Sequence, residues 1–97
     1  MKKREFRRLL TKKGFVEVLD RDHRYYFLRD PDEPEKVITH VRTKLSHSGK
    51  EKDISDSLMS KIYKQLKFRS KRELEEYLDC TITYEDYVHY LKTIGII

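Results

Sequence analysis

The sequence predicts an α+β domain: an α-β-β-β-α core with a three-stranded antiparallel sheet, followed by two further helices. Three observations predict it. Apolar residues recur at helical spacing within residues 2–13 and again from Ile54 onward. Between those segments lie three short runs rich in branched and aromatic residues, punctuated by turn sequences. Beyond residue 68, two serine or threonine caps each precede a further apolar stripe.

Each element has its own signal. Phe6, Leu9 and Leu10 form one face of the first helix, the rest of which is basic, and Gly14 supplies a left-handed stop. Phe15-Val16-Glu17-Val18-Leu19 is short and branched, which suits a strand. The turn LDRD leads into a second strand, His23 to Arg29, and DPDEP reverses the chain through two prolines. A third strand follows from Lys36 to Leu45, with Val37, Thr39, Val41 and Thr43 on one face. Residues 46–53, SHSGKEKD, read as a polar loop. Ile54, Leu58, Ile62 and Leu66, widened by Met59 and Tyr63, predict the longest helix. Ser70 with Glu73 has the form of a capping box opening a short helix through Leu74, Tyr77 and Leu78. Thr83 caps a last helix carrying Tyr87, Val88, Leu91 and Ile94, which Gly95 ends.

Composition narrows the function classes. The chain has 97 residues, the size of one domain. Aromatics make up 11% and recur at regular spacing, which separates the chain from disordered ones despite 40% charged residues. A net charge of +5 favours polyanionic partners, because each neutralised phosphate releases counterions. No apolar run reaches the ~20 residues of a membrane helix, and Met1-Lys2-Lys3-Arg4 opens a charged helix rather than a signal sequence. No membrane is expected as a partner, and the expected location is the cytosol. Abundant Lys, Arg and Glu with no Asn and one Gln is a composition of thermophilic proteins. Cys80 stands alone, so no internal disulfide forms, and it is expected to be a small buried residue.

The polar groups suggest a surface. A hairpin centred on DPDEP sets Leu28 opposite Ile38, Tyr26 opposite His40 and Arg24 opposite Arg42. Arg24, Tyr26, His40, Arg42 and Lys44 then form a basic strip with a ring among the cations. Tyr25, Phe27, Val37, Thr39 and Val41 take the face that packs on helices. Such a strip can hold a phosphate backbone and stack on a sugar or base. His23 begins its strand beside Arg21 and Arg24, which can bind an anion, and Asp22, which can orient the ring. An imidazole there, partly open to solvent, can exchange a proton at cellular pH, as general acid–base chemistry requires.

The order of motifs resembles the HicA family of toxins, the YcfA-like mRNA interferases. KKGFVEV closing the first helix, DHRYYF soon after it, and THVRTKLSHSGKEKDISDSLMSKIYKQLKF carry the resemblance over residues 2–68. It implies a fold similar to a double-stranded RNA-binding domain in residues 1–68, with residues 69–97 as a helical extension packed on the same domain. It further implies a metal-independent endoribonuclease without a cofactor, acting on RNA and silenced by a HicB-like antitoxin. The family's catalytic histidine falls on His23. Its glycine two positions earlier is Arg21 here, which crowds the approach of RNA but adds a cation. The RNA-binding residues expected are Arg21, Arg24, Tyr26, His40, Arg42 and Lys44.

Other sites carry less. His40, His47 and His89 lack the close pairing of zinc ligands. Asp53 and Asp56 read as helix-start partners rather than metal ligands. The tyrosines at 63, 77, 84, 87 and 90 read as core. The last two helices have helix-turn-helix spacing, but YEDYVHYLKTI is acidic in its first turns, where DNA contact would fall.

Overall fold

The computed structural model describes residues 1–46 and 52–97; His47 and most of the expected polar loop lie outside the described residues. The element order is α1 (Lys3–Lys12), β1 (Phe15–Leu19), β2 (His23–Arg29), β3 (Val37–Ser46), α2 (Asp56–Gln65), α3 (Lys71–Leu78) and α4 (Tyr84–Thr93). The three strands form one antiparallel sheet in the order β1-β2-β3, which is the predicted α+β architecture.

The helix ends follow from local chemistry. Gly14 (φ +90°) and Gly95 (φ +79°) take the left-handed conformation that stops a helix, as their lack of Cβ allows. Two further stops carry side chains: Lys67 (φ 69°) after α2 and Cys80 (φ 72°) after α3. Each closes a Schellman motif, with Phe68 N–H donating to the Tyr63 carbonyl and Thr81 N–H to that of Glu76, both at 2.9 Å. Cys80 is therefore an exposed helix-stop residue, which corrects its expected burial. The Ile54 stripe also shortens. Ser55, not Ile54, begins the helix by accepting from Leu58 N–H at 3.1 Å. Ile54 sits one residue outside, at the staple position opposite Met59, and α2 is no longer than α1 or α4. The full capping box lies at Thr83 and Asp86; Glu73 of the expected box turns instead to the N–H and guanidinium of Arg69.

α1 packs on β1 and α2 on β3, so both helices cover one sheet face. Phe15, Tyr26, Leu28, Val41 and Leu45 line that face, all at 1% exposure or less. α3 and α4 join the same core through an aromatic cluster. Phe68 and Tyr87 lie 4.6 Å apart, Tyr77 and Tyr87 4.8 Å, and Phe15 of β1 lies 6.4 Å from Tyr77. Tyr77 donates its hydroxyl to the Lys13 carbonyl, and Tyr87 donates to that of Leu66 at 2.6 Å. The Lys13 ammonium sits 4.6 Å from the Tyr77 ring centre and donates to the Ile82 carbonyl at 2.9 Å. Residues on both sides of position 68 thus share one hydrophobic core.

Candidate nucleic-acid interface

A bulge in β3 decides which side chains meet. The turn rung is the predicted one, Leu28 opposite Ile38, but the next rung pairs Phe27 with Arg42. Thr39, His40 and Val41 are looped out of the ladder, and this odd insertion exchanges the two faces of the rest of β3. The rungs on the helix-covered face become Phe15–Leu28–Ile38, Glu17–Tyr26–Thr43 and Leu19–Arg24–Leu45. Those on the outward face become Val16–Phe27–Arg42 and Val18–Tyr25–Lys44, with His23 opposite Ser46 at the end.

The expected basic strip is therefore rearranged. Arg42 and Lys44 are exposed on the outward face. Tyr26, expected among them, is fully buried, and Tyr25 and Phe27 hold its place. Their planes are 14° from parallel with centres 6.0 Å apart, and the His23 ring follows 6.1 Å from Tyr25. The face thus carries valines on β1, a row of rings on β2 and cations on β3. A cavity of about 350 Å³ runs along the β3 edge, lined by Tyr25, Arg42, Lys44 and Lys67 among others. Sequence reasoning missed Tyr25, Phe27 and Lys67 as members of this surface.

Of the other predicted residues, His40 also lines this cavity, whereas Arg21, His23 and Arg24 do not. Arg24 points to the helix side, where its guanidinium lies 3.4 Å from Glu17. His40 sits exposed in the bulge; its Nε2 donates to the Ile96 carbonyl at 2.6 Å, tying the C-terminal tail to β3. Arg21 is exposed in the turn just before His23, with its backbone N–H on the Asp20 carboxylate at 2.7 Å. His23 is half-buried at the rim of the sheet. No hydrogen bond joins Asp22 to its ring among the described residues, so the expected orienting contact is not made.

Tyr26 has a structural task. Its hydroxyl donates to Glu17 Oε2 at 2.6 Å, and Arg7 Nε donates to both, at 3.1 Å to the hydroxyl and 3.3 Å to the carboxylate. Burial and the carboxylate push the tyrosine hydroxyl up. Burial also pushes the Glu17 carboxyl up, but Tyr26, Arg7 and Arg24 outweigh it and hold the group below the usual carboxylate range. A depressed carboxyl stabilises the fold above its unfolded value and loses that contribution as pH falls through the folded one. Glu17→Gln is therefore expected to destabilise by of order 1 kcal/mol at neutral pH, the side chain being partly exposed. The gap from the parent should close in acid, as pH falls through and below the ordinary carboxylate range. Urea midpoints for both proteins at neutral pH and in acid check this; a gap that persists in acid would remove the carboxylate from the account.

Fold and surface together define the class: an α+β domain with helices on one sheet face and an open aromatic and cationic face opposite. No family model, curated protein or solved structure matches the chain. No helix among the described residues is long and apolar enough to cross a membrane.

Proposed function

We propose that this protein binds RNA across the open sheet face and cuts it with His23, as a HicA-like endoribonuclease. The single observation that carries the reading is the half-buried imidazole at the end of a row of rings bordered by Arg42 and Lys44. The sequence resemblance supplies the chemistry. His23 would take the proton of a ribose 2′-hydroxyl or return one to the leaving oxygen. Cations nearby would stabilise the charge that gathers on the phosphate oxygens. Arg21, exposed in the turn two residues before His23, is one such cation, whereas the adjacent Arg24 is turned to Glu17 on the helix side. On this reading the protein partner is a HicB-like antitoxin, and no metal or cofactor takes part.

The test is incubation of the purified chain with a mixed RNA in EDTA at its working temperature. Fragments ending in 2′,3′-cyclic phosphate are expected over hours, whereas RNA that stays whole would end the nuclease reading. A second reading, a binding module without catalysis, is favoured by the missing hydrogen bond between Asp22 and His23. It predicts uncut RNA held in a salt-dependent complex.

A further inference from the structure

We infer that the open sheet face is a stacking platform for an unpaired strand: Tyr25 and Phe27 take bases while Arg42, Lys44 and Lys67 hold its phosphates. The inference rests on the RNA reading above and names the kind of RNA.

The outward face of an antiparallel sheet with helices on one side ordinarily alternates towards polar residues. Here its central strand presents rings instead, half-buried and two residues apart on β2. Successive outward positions on a strand lie about 6.6 Å apart, so a row of rings is a repeating set of apolar planes. Apart from Arg29, which ends the β2 row and donates to the Pro34 carbonyl at 3.1 Å, the outward cations lie on the β3 side, where Arg42 and Lys44 line the 350 Å³ cavity with Lys67. The surface is therefore split lengthwise, apolar on β1 and β2 and positive along β3. An unpaired strand has the same division, with bases on one side and phosphates on the other. The paired rungs enforce the match, since Phe27 faces Arg42 and Tyr25 faces Lys44 across one strand spacing.

A duplex does not fit this pattern. Its bases are already stacked inside the helix, and proteins meet it through phosphates and 2′-hydroxyls. The rings would have no partner. A second copy of the chain fits poorly as well, because pairing two such faces brings together proteins that each carry +5. His23, at the end of the row and 6.1 Å from Tyr25, would meet the backbone next to a stacked base.

The test uses 2′-O-methyl oligoribonucleotides, which lack the hydroxyl that cleavage needs, carrying 2-aminopurine at the centre. The full chain is titrated with the single strand and with its duplex at several salt concentrations. Tighter binding of the strand, by at least tenfold, with quenching of 2-aminopurine is expected. Tyr25→Leu and Phe27→Leu keep apolar bulk on the strand, and each should weaken strand binding roughly tenfold. Arg42→Gln should lower the salt slope by about one without restoring duplex binding. Equal affinity for duplex and strand, absent quenching, or leucine variants that bind like the parent would overturn the stacking platform and leave RNA binding intact. Failure to bind either RNA would overturn both. A dimer dissociated by Phe27→Lys would assign the face to a second copy and overturn the inference.

Discussion

Replacing Tyr77 with alanine is expected to destabilise the fold by about 3–5 kcal/mol, in the range for emptying a buried aromatic site. Tyr77 is fully buried and joins elements distant in sequence. Its ring meets Phe15 of β1, Phe68 between α2 and α3, and Tyr87 of α4. Its hydroxyl satisfies the Lys13 carbonyl at the end of α1, and its ring receives the Lys13 ammonium. Alanine removes all of these at once. Tyr77→Phe isolates the polar part: the ring contacts stay, the carbonyl loses its donor, and the cost should be about 1–3 kcal/mol. With roughly 4–8 °C of Tm per kcal/mol for a domain of this size, alanine should lower Tm by at least ~12 °C and phenylalanine by less. Thermal melts followed by circular dichroism measure both. A loss under ~1 kcal/mol for the alanine variant would mean that α3 and α4 are a detachable appendage. The geometry predicts the opposite, because residues 69–97 supply one wall of the only core cluster among the described residues.

The strands were legible where the signal was local. β1 and β2 begin and end where branched and aromatic residues predict, and Gly14 and Gly95 mark their helix ends because few other residues accept positive φ. Lys67 and Cys80 occupy the same conformation with no residue type to announce it. The faces of the sheet were not legible. Tyr25-Tyr26-Phe27 is aromatic throughout, so period-2 alternation gives no contrast between in and out. Glu17 held the missing information: a carboxylate flanked by valines needs donors, and Tyr26 with Arg7 supplies them on the helix side. β3 held the rest, since Val41, Thr43 and Leu45 alternate with Arg42, Lys44 and Ser46. Burying the first set while keeping Leu28 opposite Ile38 requires an odd insertion, which is the bulge. That insertion also sets Arg42 and Lys44 opposite the half-buried rings of Phe27 and Tyr25, where a regular ladder would have set Arg42 opposite Arg24.

His23→Ala is expected to reduce RNA cleavage by about 10²–10⁴-fold, the contribution of one positioned acid–base group. Binding of an uncut strand should change by less than threefold. The separation follows from position: His23 ends the row of rings, whereas Tyr25, Phe27, Arg42 and Lys44 occupy the two full rungs across the outward face. A group acting on the proton in transit lowers the rate without lowering ground-state affinity, whereas loss of a docking contact weakens both. Substitution at His23 is also mild for the fold. The side chain lies at the rim of the outward face, half-buried and outside the core cluster, so an unchanged Tm is expected. Lys44→Gln is the contrasting variant. It should weaken binding and flatten the salt dependence, while the cleavage rate at saturating protein stays within tenfold of the parent. Single-turnover cleavage with protein in excess, run beside the binding titration, reads both quantities on the same preparations. If His23→Ala cuts at the parent rate, the imidazole is not the acid–base group and the nuclease assignment fails, whatever the platform binds. If it loses binding and cleavage in equal proportion, His23 is one more contact on the face.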